Sequence, residues 1–374
     1  MLRVENFAHI RSAEIEFGDV TLLVGPQGSG KSLLLQLLKL CVDKGDVDRA
    51  LSDAGYHFPR DADRLDAYLG VGMSTAWRAE TKVTFDGVPL DLGRRVRADA
   101  KVGRLFYIPA HRAMLLAEGW PAPFQRLGAD TPAVARLFSQ TLFDLFADPS
   151  SDTLFPVERR LKSEYRKVID SAIFHGGEVR LERKELRKRL ELRFGQTRLP
   201  FMTWTAGQRE FAPLLLGLYH LLPPRKQPKL PDVDWVVIEE PEMGLHPQAI
   251  AAFLLLVLDL VWRGYRVVLS THSPLILDFA WALSRCATLT SAPDSLYTAF
   301  GVERSPATTK VLDGAIKKSY RTHLMRFDAK GGSVTSRDIS ALRPDAPEAD
   351  EADWGGLTGF SSRFQSVVAD AANA

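Results

Sequence analysis

An α/β fold with a mainly parallel sheet is predicted by three observations. A short apolar run at 20–24 passes through a glycine-rich loop into an apolar helix pattern, Leu33-Leu34-Leu35-Gln36-Leu37-Leu38. A second apolar run, Trp235-Val236-Val237-Ile238, opens a strand–helix–strand–helix series through 247–262, 266–269 and 274–284. Such alternation needs crossovers between parallel strands. Third, residues 2–5 and 12–17 flank a turn-like 6–9 and read as an antiparallel hairpin leading into 20–24.

The rest follows in chain order. Residues 81–96 suggest more β-structure, with Asp86-Gly87 as a hairpin turn. Leu105-Phe106-Tyr107-Ile108 is a short buried-type strand that stops at Pro109. The pattern from 113 to 176 is helical, with loops near 119–132 and 148–156, and 178–203 alternates as two or three antiparallel strands. A helix is expected from Thr205 to about Leu222, then a Pro- and Lys-rich linker at 223–231. The last stretch offers a hairpin, 321–327 with 333–339, and an acidic linker at 344–353. The expected division is therefore a core of 1–112 and 200–290, an inserted helical and β-hairpin lobe at 113–199, and a C-terminal extension at 291–374 that is a candidate partner-binding segment.

Bulk properties bound the function. The 374 residues are 45% hydrophobic and 25% charged, as in an ordinary globular protein. A net charge of +2 gives no overall bias toward nucleic acid, so DNA contact would need a local patch. The densest candidate holds Arg183, Lys184, Arg187, Lys188, Arg189 and Arg193, diluted by Glu178, Glu182, Glu185 and Glu191, and reads first as a solvated hairpin. Cys41 and Cys286 lack metal or disulfide spacing, which suits a reducing compartment. The apolar run 251–262 contains Asp259 and is too short to span a bilayer, so a cytoplasmic protein without membrane contact is expected.

Gly25-Pro26-Gln27-Gly28-Ser29-Gly30-Lys31-Ser32 satisfies G-x-x-x-x-G-K-[ST] between a strand and a helix. Glycines let backbone N–H groups turn inward around phosphates, and the helix start adds positive potential. Lys31 is expected to reach the β- and γ-phosphates of ATP, and the Ser32 hydroxyl to ligate Mg²⁺. The strand at 235–238 delivers Glu239-Glu240-Pro241 to the carboxyl edge of the sheet, where ligands bind in open α/β folds. Neighbouring residues on a strand point opposite ways, so the two carboxylates need different jobs. Glu239 is expected to hold Mg²⁺, and Glu240 to orient or deprotonate the attacking water.

Trp204-Thr205-Ala206-Gly207-Gln208, just before a helix, is similar to the L-S-G-G-Q signature of ABC ATPases. Thr205, a hydroxyl N-cap, and exposed N–H groups make an anion site by themselves. The resemblance implies more: Thr205, Gly207 and Gln208 would bind the γ-phosphate held by a second subunit, in a head-to-tail homodimer with two ATPs between the copies. Ser270-Thr271-His272-Ser273-Pro274 resembles the family's switch histidine, which makes His272 a γ-phosphate sensor. Met243-Gly244-Leu245-His246-Pro247 occupies the place of its D-loop. Within the family, Glu239-Glu240-Pro241-Glu242 with Leu245-His246-Pro247 is most similar to the SMC-like, OLD-family ATPases, which act on DNA or in defence against phage.

Three departures stand out. Gln27 replaces a usual Asn, Glu239 a usual Asp, and no glutamine fills the expected Q-loop, where Pro109-Ala110-His111-Arg112 offers His111 or Arg112 instead. OLD-family proteins often carry a Toprim nuclease, which needs a Glu and a D-x-D pair at strand ends. Asp350-Glu351-Ala352-Asp353 lies in an acidic linker with no apolar strand before it and reads as solvated, so any effector is expected to be a separate protein. Two functions remain in play. One is an ATPase that dimerises around ATP and gates a DNA-linked or effector-linked process such as phage defence or DNA repair. The other is an ATP-dependent scaffold or switch that controls an effector with little turnover.

Overall fold

In the computed structural model, all residues are described except 94–102, 118, 148–151, 158–159, 185–186, 223–228, 329, 331 and 374. A ten-stranded mixed sheet carries the fold. From one edge inward run Val88–Pro89, Trp77–Phe85, Leu2–Phe7 and Ile10–Ile15, an antiparallel subsheet. Val334–Asp338 and Tyr320–Phe327 come next, then Val20–Val24, Arg266–Ser270, Trp235–Glu239 and Leu105–Ile108. The last four are mutually parallel, as the strand–helix alternation requires.

Alternation along these strands sorts the core into two layers. Val20, Leu22, Val24, Val236 and Ile238 face one apolar cluster, covered by helices Ala206–Leu221, Pro247–Trp262 and Pro274–Arg285. Leu23, Trp235 and Val237 face the other, covered by helix Lys31–Asp53. Fully buried parallel strands on both faces explain why the sequence reads as continuous apolar runs there.

The C-terminal hairpin departs from the expected division. Its two strands lie inside the main sheet: Tyr320–Phe327 runs parallel beside Val20–Val24, and Val334–Asp338 runs parallel beside Ile10–Ile15. Residues expected as an extension thus join the antiparallel subsheet to the parallel one. The Asp86-Gly87 turn forms as expected, both residues at positive φ. The segment 113–176 is less helical than its pattern suggests. Its main helix is Ala133–Ala147, and Thr153–Phe155 joins Glu178–Lys184, Arg187–Phe194 and Thr197–Pro200 in a separate four-stranded sheet. Four of the described basic residues on these strands are in ion pairs, Arg180 with Glu178, Arg183 with Asp152, Arg193 with Glu191 and Arg198 with Glu182. The side chains of Lys184 and Arg187, and part of the linker 223–231, lie outside the described residues. Among the described residues, no helix is long and apolar enough to cross a membrane.

Candidate nucleotide site

Parallel register builds the site. Leu23 lies beside Ser270, and Ser270 beside Glu239, so three strands end level with one another. The chain therefore emerges at one sheet edge as the loop 25–30, as Glu240, and as Thr271-His272. The glycines of the loop are needed for their backbone. Gly25 has φ +142 with the Met325 carbonyl where a Cβ would stand, and Gly30 has φ +83. Any side chain at either position would be strained, and at Gly25 it would collide with the C-terminal hairpin.

Lys31 is buried, and its ammonium donates to the carbonyls of Gly25 at 2.8 Å and Pro26 at 3.0 Å. Burial pushes its pKa down to about 8, against the opposing pull of Glu240, Glu242 and Glu239.

Glu239 is buried at the strand end. Its Oε2 accepts from the Ala110 N–H at 3.3 Å, while Oε1 is buried without a hydrogen-bond partner. Burial raises its pKa, and the neighbouring Ser32 hydroxyl, Ala110 amide and Tyr107 phenol pull it back down. An orphaned carboxylate oxygen beside a serine hydroxyl is a hard-oxygen donor set. It suits Mg²⁺, which takes one or two carboxylates and completes its shell with phosphates and water. Among the described residues, no cluster of three or more His, Cys, Asp or Glu competes as a metal site.

Glu240 has φ +40, a conformation that costs a residue with a Cβ roughly 1–3 kcal/mol. Its N–H donates to the Ser270 carbonyl at 2.9 Å, and its Oε1 stands 3.6 Å from His272 Nε2. Burial and the Lys31 charge lower the His272 pKa, opposed by Glu240 and Glu242, so the imidazole is neutral at pH 7.

Thr205 caps the helix Ala206–Leu221 in a full capping box. Its hydroxyl accepts from the Gln208 N–H at 3.3 Å, and the Gln208 Oε1 accepts from the Thr205 N–H at 3.2 Å. Gln208 Nε2 also donates to the Ile173 carbonyl at 2.9 Å, so its amide is engaged within the chain. Gly207 packs on the turn after the carboxylates; a Cβ there would stand 2.5 Å from the Gly244 carbonyl.

Two residues carry roles that were not legible in the sequence. Glu242 Oε1 accepts from the Thr271 hydroxyl at 2.8 Å and from the His272 N–H at 2.6 Å, so it pins the loop that presents His272. The signal, a third acid in E-E-P-E, was visible, but its partner arrives 30 residues later. Arg112 is fully buried and directs its guanidinium at backbone carbonyls, including those of Glu239 and Glu240, which corrects its expected place as a glutamine substitute at the phosphates. His111 has φ 50 and is exposed, and no hydrogen bond or ion pair engages its side chain among the described residues.

A phosphate loop on the central strand, parallel neighbours, and an acidic strand end at the same edge define a P-loop NTPase fold with its nucleotide site at that edge. The family described as "AAA domain, putative AbiEii toxin, Type IV TA system" matches residues 20–278, and the chain belongs to that family. An OLD nuclease from Thermus scotoductus is 24% identical over 324 residues, covering 73% of this chain. The match spans 58% of that nuclease's own length. Among solved structures, an SMC head domain from Thermotoga maritima aligns at 14% identity with a TM-score of 0.38, over 90% of this chain and 97% of that one. A dimeric bacterial ABC transporter cassette aligns at 13% identity with a TM-score of 0.35, over 75% of this chain and 91% of that one.

Proposed function

We propose that this chain binds Mg–ATP on residues 25–32 and hydrolyses it between two copies of itself, and that the cycle gates a separate effector or a DNA-linked process. The observation that carries the reading is the level ending of three parallel strands, with Glu240 and His272 facing each other at 3.6 Å beyond the phosphate loop. Loop amides and Lys31 bind the β- and γ-phosphates; Lys31 exchanges its two carbonyl partners for phosphate oxygens. Ser32 and Glu239 would hold Mg²⁺, which when bound neutralises charge on the phosphates. Glu240 orients a water and takes its proton as the oxygen attacks the γ-phosphorus. The bond from that phosphorus to the bridging oxygen breaks, and ADP and phosphate leave. Neutral His272 donates to a γ-phosphate oxygen and registers its loss. Thr205, Gly207 and Gln208 of the partner copy close over the γ-phosphate through the helix start, with the Thr205 hydroxyl proton and the backbone N–H groups as donors; the Gln208 side chain supports that turn from within its own chain.

The gated process is proposed from kinship. The family description names a toxin of a toxin–antitoxin system and the Thermus relative is named a nuclease, which together support defence-type control.

Turnover and particle mass of wild type, Lys31→Ala and Glu240→Gln, with and without double-stranded DNA, test the reading. Wild type should turn over, Lys31→Ala should not bind, and Glu240→Gln should lose about 10²–10³ in rate and collect as an ATP-bound dimer. ATP binding at fixed mass without turnover would replace this reading with that of an ATP-dependent switch.

A further inference from the structure

Arg112 follows strand Leu105–Ile108 and is fully buried, a costly place for a guanidinium unless its donors are met. Nη1 donates to the carbonyls of Pro109 at 2.9 Å and Glu239 at 2.8 Å. Nη2 donates to the Glu240 carbonyl at 3.4 Å, and Nε to the Glu210 carbonyl at 3.4 Å. The Glu210 carboxylate stands 3.8 Å from Nε.

These contacts have a specific geometric meaning. The peptide plane that ends in the Glu239 carbonyl sets φ of Glu240, and the plane that ends in the Glu240 carbonyl sets its ψ. Arg112 grips both planes, and the Glu240 N–H bond to the Ser270 carbonyl at 2.9 Å fixes the first a second time. Glu240 holds φ +40, a value that persists only where the surroundings dictate it. Pro241 adds a steric restriction from the other side. Glu210 belongs to helix Ala206–Leu221, whose start touches Gly244 through Gly207.

We propose that Arg112 is the positioning residue for Glu240: it clamps the two peptide planes that set that residue's torsions and ties them, through Glu210, to the signature-like helix. The proposal rests on the reading of Glu240 as the carboxylate that orients water. Movement of the helix start when two copies close is thereby transmitted to Glu240 through one buried side chain.

Arg112→Lys removes the planar fork while keeping the charge. It should lower kcat about 10²-fold with KM unchanged, and leave the affinity for a fluorescent ATP analogue within about threefold of wild type. Because Arg112 acts through Glu240, the same change in a Glu240→Gln background should cost at most about threefold more. Amide exchange at 240–245 should quicken at least about tenfold, with 25–32 unaffected. Should Arg112→Lys not fold, Glu210→Gln carries the test. It spares the bonds to Glu239 and Glu240, and its expected loss, about tenfold in kcat, should vanish in the Glu240→Gln background. The proposal is overturned by a normal kcat, by a loss confined to nucleotide affinity, or by a loss that adds in full to that of Glu240→Gln. If the wild type itself does not turn over, the ATPase reading fails, and the exchange at 240–245 alone decides whether the clamp exists.

Discussion

Replacing Glu239 with Gln should make the ligand-free protein more stable while removing its response to Mg²⁺. Glu239 is 4% exposed, and its Oε1 has no partner. A buried charged oxygen left unpaired costs about 1–3 kcal/mol. Glutamine keeps the shape and an acceptor for the Ala110 N–H, and removes the charge. An amide N–H there can donate to the nearby Ser32 or Tyr107 oxygen, and the Tyr107 hydroxyl is itself buried without a partner. Allowing for one imperfect bond, the net gain is about 1–2 kcal/mol at neutral pH. With about 2.1 cal/mol/K of unfolding entropy per residue over 374 residues, that is a rise in Tm of about 1–3 °C. The sign with pH follows from the raised pKa of Glu239. Between its unfolded and folded values the native state binds more protons, so the wild type loses stability as pH rises through the folded value. The glutamine variant does not titrate there, and its advantage should be widest near neutrality and shrink toward the unfolded glutamate value of about 4.3. Thermal melts across that range, each with and without Mg–ATP, read both effects. Wild type should gain Tm with Mg–ATP and the variant should gain much less. A ligand-free variant that melts below wild type at neutral pH would refute the orphaned-oxygen argument.

Three further outcomes are expected. Gly207→Ala places a Cβ 2.5 Å from the Gly244 carbonyl, about 0.9 Å inside the 3.4 Å at which ordinary contact begins; it should cost roughly 1–3 kcal/mol in urea unfolding and depress turnover, and a neutral result would mean that the two turns do not touch. The lowered pKa of His272 means turnover should hold through neutrality and fall only below the ordinary imidazole range, as the ring charges, an inflection that His272→Ala should abolish in a pH–rate profile. Glu242→Gln keeps one acceptor for the Thr271 hydroxyl and the His272 N–H, whereas Glu242→Ala removes it; the alanine variant should lose about 10-fold or more in kcat with nucleotide affinity retained, and equal rates for the two would remove Glu242 from the switch loop.

What could be read from the sequence was local chemistry on a periodic scaffold. The loop 25–32 announces itself through glycines, a lysine and a hydroxyl between a strand and a helix, and the runs at 20–24 and 235–238 are apolar, apart from the buried Thr21, because both sheet faces are covered. Thr205 was legible as a cap because capping is a matter of three residues. Arg112 and Glu242 were not legible in role, since an arginine that grips carbonyls 127 and 128 residues away leaves no pattern in its own neighbourhood. The hairpin near the C-terminus was legible as strands and illegible as position. Period-two alternation names a face, and says nothing of which strand stands next to it.

That position has a consequence for how the molecule is assembled. Strand Val20–Val24 is made early, yet its neighbour on one side is Tyr320–Phe327, paired residue for residue from Val20 with Tyr320 to Val24 with Leu324. Until that late hairpin arrives, the two halves of the sheet have no seam, and Gly25 has no Met325 carbonyl against which to turn. A nascent chain on the ribosome therefore carries every residue of the phosphate loop for most of its synthesis without the edge that shapes it. Long-range pairing of this kind folds slowly, and competence to grip a phosphate should appear late and abruptly, as the last strand pair closes the sheet.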